Sequence, residues 1–260
     1  ESPVKAGVLW AGTDDGKVWV SPDAGGEWRD LTANVKGVPR GLWVSRIDAS
    51  PVDANTAYLS FDGHRSDDFG TYVFVTRDLG RSWTSIAAGL PKGAPVKVVR
   101  AGRRNPDLVY VGLETGLRFS LDGGREWMTL GKGLPTVAVD DIHTHPRDLD
   151  LILGTHGRGL YVLDGVQALE EWGASAARDT VSLFTPRTAW AWHSRPLGGH
   201  FGSDEWSAKN PPFGAWFDYY LPREVTGGVS FTVTDSTGRK VRTLSGPGGA
   251  GLHRVVWDLT

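Results

Sequence analysis

Ser21-Pro22-Asp23-Ala24-Gly25-Gly26-Glu27-Trp28 recurs as Thr76-Arg77-Asp78-Leu79-Gly80-Arg81-Ser82-Trp83 and again as Ser120-Leu121-Asp122-Gly123-Gly124-Arg125-Glu126-Trp127. All three read S/T-x-D-x-G-x-x-W. The pattern describes a tight hairpin. Asp accepts backbone N–H groups inside the turn, Gly takes a positive φ, and Ser or Thr ties the entering strand. Trp opens the next strand and packs back over the turn.

Working outward, an apolar strand, a Gly-bearing turn and an alternating strand precede the motif in Leu9–Val20 and Val109–Phe119, and recur at Ile152–Val162. The second copy departs from this. Ala57–Phe61 leads into an enlarged turn, 62–71, before Tyr72–Val75. Earlier in each unit lies a strand ending in a Pro turn, at Ile47–Asp53, Val99–Asp107 and Ile142–Asp148. One unit is therefore four antiparallel strands. The motif aspartates repeat at intervals of 55 and 44 residues, which suits a β-propeller blade.

The composition agrees. The 260 residues include 35 Gly and 12 Trp but one Met, which favours turns and strands over helix. A net charge of −2 gives no footprint for nucleic acid and no polybasic membrane patch. No apolar run approaches the ~20 residues that cross a bilayer. The absence of Cys excludes disulfides and thiol chemistry. No cofactor and no metal site is expected.

S/T-x-D-x-G-x-x-W resembles the Asp-box, or bacterial neuraminidase repeat. With Phe61-Asp-Gly-His-Arg-Ser-Asp-Asp-Phe69 and Gly154-Thr-His-Gly-Arg-Gly-Leu-Tyr-Val-Leu-Asp164, the chain resembles the bacterial sortilin-related (Vps10-like) Asp-box propeller proteins. The resemblance implies an all-β, secreted or periplasmic bacterial protein. It also implies an immunoglobulin-like sandwich, related to that of the flagellar hook-capping protein, after the blades. The expected organisation is about four blades of a partial propeller over 1–164, a connecting helix and loop over 165–212, and an incomplete sandwich over 213–260. A short helix is expected at 166–172 and a loop at 193–212. Strands are expected at 215–220, 228–234, 240–244 and 251–257. The first unit lacks an inner strand and the last sandwich strands are missing. The expected structure is therefore an open arc. Its partners would be the remaining blades, from the same parent protein or another chain.

Three groups of residues could carry function. The enlarged turn holds Asp62, His64, Arg65, Asp67 and Asp68, and inserted loops are where propellers place binding residues. The alternative is a solvated loop with internal ion pairs. His156 and Arg158 sit between glycines where other blades carry Asp14-Asp15-Gly16 and Glu114-Thr115-Gly116. They could meet a central ligand or pair with a neighbouring blade. His143 and His145 alternate beside Asp140 and Asp141, as zinc ligands can, but His145 falls on the Pro turn where Ser50 and Asn105 stand. Turn capping is the expected role. The motif residues themselves read as structural: Ser21, Asp23, Gly25 and Trp28; Thr76, Asp78, Gly80 and Trp83; Ser120, Asp122, Gly124 and Trp127. Trp190, Trp192, Trp206 and Trp216 suit either sugar stacking or domain docking.

No catalytic residue is assigned. No Ser-His-Asp order, nucleophile elbow or phosphate loop is present. Three functions stay open: a non-catalytic binding module for peptide or carbohydrate, a glycoside hydrolase of sialidase or xyloglucanase type, and an arc completing a larger complex.

Overall fold

The computed structural model describes residues 1–130, 133–173, 179–191 and 209–260. Two compact units result, Glu1–Gly173 and Ala174–Thr260.

The first unit holds four antiparallel sheets in chain order. Sheet one is β1 (Leu9–Gly12), β2 (Val18–Ser21) and β3 (Arg29–Asp30). Sheet two is β4 (Trp43–Ala49), β5 (Ala57–Asp62), β6 (Tyr72–Thr76) and β7 (Thr84–Ser85). Sheet three is β8 (Val96–Ala101), β9 (Val109–Leu113) and β10 (Gly116–Ser120), and Phe119 bridges to Met128 where a fourth strand would lie. Sheet four is β11 (Val139–Thr144), β12 (Leu151–Thr155) and β13 (Leu160–Leu163). Among the described residues, only sheet two shows all four expected strands. Sheet four has no S/T-x-D-x-G-x-x-W turn and no outer strand among the described residues.

Consecutive sheets pack face to face through three apolar clusters. Val18, Val20, Val44 and Phe61 join sheets one and two. Tyr58, Val75, Val99 and Val111 join two and three. Tyr110, Phe119, Ile142 and Leu151 join three and four. No such cluster joins sheet four to sheet one among the described residues. The far face of sheet four is bare: Leu160 is 74% and Val162 55% exposed, whereas their equivalents Leu117 and Phe119 in sheet three are buried.

The motif turns fasten the first three blades at one end. Gly25, Gly80 and Gly124 donate backbone N–H to Ser21, Thr76 and Ser120 Oγ at 2.8–2.9 Å. Glu27, Ser82 and Glu126 N–H reach Asp23, Asp78 and Asp122 Oδ1, each at 2.9 Å. Each turn also docks on the loop before its blade's second strand, through Ala24 N–H to Gly7 O, Leu79 to Asn55 O and Gly123 to Asp107 O. Gly80 is required twice over: its φ is +79°, and a Cβ there would stand 2.2 Å from Leu31 Cδ1 of the preceding blade.

The helix expected at 166–172 is shorter, α1 (Gln167–Glu170). Buried Glu170 accepts N–H bonds from Arg103, Arg104 and Asn105 at 2.8–3.2 Å, which seats α1 on the Pro turn of blade three.

In the second unit, β14 (Ser182–Leu183), β15 (Ala215–Leu221) and β18 (Gly251–Trp257) form one sheet; β16 (Val229–Thr234) and β17 (Lys240–Gly246) form a hairpin. Phe231 of the hairpin stacks on Phe217 and meets Tyr219 edge-on, at 6.4 and 5.0 Å, so two sheets face each other. Trp192, Trp206 and most of the loop 193–212 lie outside the described residues. Trp216 is buried, with the Arg187 guanidinium 3.7 Å from its ring, and presents no face to a sugar.

Candidate functional site

The turns β1–β2, β5–β6, β9–β10 and β12–β13 lie at the end of the blades opposite the motif turns, beside the starts of the inner strands β4, β8 and β11. Each inner strand carries a β-bulge at the equivalent position, where Ser45, Lys97 and Asp140 are the extra residues. A bulge re-aims a side chain without ending the sheet. Here all three are turned to polar work.

Ser45 Oγ bonds Ser60 Oγ and Val96 O, both at 2.8 Å. Lys97 Nζ reaches Asp62 Oδ2 and Glu114 Oε2, both at 2.9 Å, from a side chain only 13% exposed. His64 contributes its N–H at 3.0 Å and Nδ1 at 2.7 Å to Asp62 Oδ1. Burial alone would raise the Asp62 pKa, but hydrogen bonds from His64 and Lys97 outweigh it and hold the carboxyl below the ordinary value. Likewise burial would lower Lys97, but its bonds to Asp62 and Glu114 hold it above. Asp140 Oδ2 lies 3.3 Å from His156 Nδ1.

Closer to the inner edge, a charge ladder crosses three blades. Arg100 on β8 donates to Asp48 of β4 at 2.6 Å, to Asp141 of β11 at 3.2 Å and to Ile142 O at 2.8 Å. Arg46 of β4 reaches Asp141 at 2.7 Å, spanning two blades. Gly112 on β9 lets β11 of the next blade close up, because a Cβ there would meet Val139 O at 2.4 Å. Burial pushes the Asp48 carboxyl up despite Arg100 and the Ala101 N–H.

The remaining sequence candidates fall as follows. Arg65 lies over the Trp43 ring at 5.1 Å. Asp68 accepts Gly70 N–H at 2.7 Å and the Tyr72 hydroxyl at 3.1 Å, so it staples the enlarged turn. Asp67 holds a left-handed φ of +56° in that turn. Arg158 is exposed on the β12–β13 turn and has no side-chain partner among the described residues. His145 Nδ1 accepts Asp148 N–H at 3.2 Å and caps the Pro turn, while His143 is exposed. No three His, Asp or Glu side chains converge as metal ligands among the described residues.

Lys97, Glu114, Asp48, Arg46 and Arg100 were not singled out by sequence reasoning. Their signal was charge on strands that otherwise alternate apolar residues: Arg46 and Asp48, then Lys97 and Arg100, then Asp140 and Asp141.

Sheets that stack face to face in chain order, the first three hinged at the same turn, make the first unit an arc of β-propeller blades. No protein-family model matches the chain, and no curated protein does. Solved structures similar to it include a GH74 enzyme of Niastella koreensis, with 17% identity, a TM-score of 0.48, and 64% of this chain and 28% of that one covered. Another is the GH74 xyloglucanase of Xanthomonas campestris, at 15% identity and a TM-score of 0.47, covering 98% of this chain and 37% of that one. A third is YCF48 bound to D1 peptide, at 12% identity and a TM-score of 0.44, covering 92% and 65%. The chain thus spans less than two thirds of each.

Proposed function

We propose that this chain is a non-catalytic binding or scaffolding part of a larger secreted bacterial protein of the sortilin-related Asp-box type. Its ligand is a peptide or glycan, met at the turns of blades two to four. In this reading the three motif turns are Asp-boxes and the second unit belongs to an immunoglobulin-like domain akin to that of the hook-capping protein. Further blades, from the same parent protein or another chain, cover the bare face of sheet four.

One observation supports this most. The carboxylates gathered on the inner strands and at the end of β5 are already committed: Asp62 to Lys97 and His64, Asp141 to Arg46 and Arg100, Asp48 to Arg100. A glycosidase needs two carboxylates about 5–10 Å apart, free to hold a proton and attack across one bond. Arg65 on Trp43, His156 and Arg158 remain as outward-facing groups for recognition.

Chemical-shift mapping on the full chain with xyloglucan oligosaccharides and a peptide library tests this. Shifts should centre on Arg65, His156 and Arg158. An Arg65→Ala/Arg158→Ala variant should bind at least tenfold more weakly at unchanged Tm. Undiminished binding by that variant would contradict the assignment of the face.

A further inference from the structure

Each sheet of the arc turns one face to the next sheet in the chain, and that face repeats. Val18 of β2, Val73 of β6, Leu117 of β10 and Leu160 of β13 stand opposite Gly12, Ser60, Gly112 and Gly154 at the same ladder position. The first three are buried under the following sheet, whereas Leu160 is 74% exposed.

The small residue opposite is what admits the neighbour. A Cβ on Gly12 would overlap Val44 of β4, and one on Gly112 would overlap Val139 of β11. Ser60 fills the same place through its hydroxyl, which bonds Ser45 Oγ, and Ser45 in turn bonds Val96 O of β8. At all three interfaces the seat meets the valine just before the bulge of the next inner strand. Gly154 offers the same seat empty: the nearest atom to a Cβ there is Asp141 Cβ of its own sheet, at 3.7 Å.

No sheet of this chain can supply the missing valine. Sheets two, three and four have inner strands, but the faces that would dock are already packed on the sheets before them. Sheet one has no strand inside β1 among the described residues. The mismatch holds from the other end too. Gly80 and Gly124 receive Leu31 and Ile86, which follow the outer strands β3 and β7 of the preceding blades. Gly25 has only its own blade near it and Trp28 is 41% exposed, yet sheet four shows no outer strand among the described residues to fill that place. A second copy therefore fits neither end.

We infer that the bare face of sheet four binds a propeller blade that is not one of this chain's own, with a valine of its inner strand seated at Gly154 and its apolar face over Leu160 and Val162. The contact continues the three interfaces already built, and a repeated apolar row left bare marks a docking surface. The partner's inner strand reads V-x-x-I/V, as Val44–Ile47, Val96–Val99 and Val139–Ile142 do. The inference rests on the reading above, in which further blades cover this face, and says which blades can.

The test places photoreactive p-benzoylphenylalanine at position 162 of the full chain, made in its native host, and sequences the cross-linked peptide. The expected product joins a peptide of another sequence that carries V-x-x-I/V. Gly154→Leu, which fills the seat, and Leu160→Arg, at an exposed position, should each reduce that product at least tenfold at unchanged Tm. A cross-link to a second copy of this chain, a peptide without the pattern, no cross-link, or undiminished product in both variants would overturn the inference. Arg65→Ala/Arg158→Ala should leave the product unchanged, so loss of ligand binding in that variant with the cross-link retained concerns the recognition face alone.

Discussion

At the scale of single residues, the motif turns make the sharpest tests. Gly80→Ala meets two obstacles, a φ of +79° and Leu31 Cδ1 at 2.2 Å, and should cost about 2–4 kcal/mol in urea unfolding. Leu31→Ala in the same chain should recover part of that loss in a double-mutant cycle, because it relieves the clash and not the dihedral. Asp122→Ala removes the acceptor of the Arg125 and Glu126 N–H groups, which are open to water, and should cost about 0.5–1.5 kcal/mol, with ligand binding unchanged. The same carboxylates set a pH response. The Glu27 N–H and Ser21 hydroxyl hold Asp23 below the ordinary carboxylate value, and Ser82 does so for Asp78. For Asp122, burial pulls upward and the Glu126 N–H and Ser120 prevail. A folded value below the unfolded one, about 3.9, stabilises the fold above that pH and is lost as pH falls through the folded value. Stability should therefore drop below about pH 4. Asp→Asn at all three positions should flatten that limb in an acid titration followed by Tm. Asp48 acts in the opposite sense, since burial raises it and its ionisation costs stability as pH rises.

At the scale of elements, the bulge on β8 decides where charge goes. Without the extra residue at Lys97, the alternation of β8 would turn that side chain to the other face of the sheet. Lys97→Met should remove a charge-assisted hydrogen bond from buried Asp62, lower stability by about 1.5–3 kcal/mol, and raise the Asp62 pKa in a ¹³C-detected carboxyl titration. An unmoved Asp62 would show that His64 alone holds it. The strands were legible beforehand because Val, Ile, Tyr and Gly alternate or punctuate as hairpins require. The hairpin at Asp235–Gly238 was legible for the same reason. The bulges were not, because a bulge is a mismatch between two strands, and one strand read alone carries no trace of its partner's count. Val96-Lys97-Val98-Val99-Arg100 looks like an ordinary alternating strand until Val98 is seen opposite Gly112.

For the whole molecule, the architecture came from three copies of one motif, whose spacing needs no knowledge of side-chain contacts. The candidate site was only half legible. The enlarged turn 62–71 announced itself as an insertion, yet its key carboxylate is buried against Lys97, 35 residues on. Arg46 finds Asp141 only because two blades bring them together across 95 residues. Sequence order hides any pairing made by the curvature of the arc. In the proposed reading these charges build a face for recognition and not for bond cleavage. Reducing-end release from xyloglucan and from a panel of aryl glycosides, measured with the full chain and with Asp48→Asn and Asp141→Asn, tests it most directly. The expected result is no release above buffer for any of the three proteins. Turnover by the wild type that either substitution abolishes at unchanged Tm would contradict it.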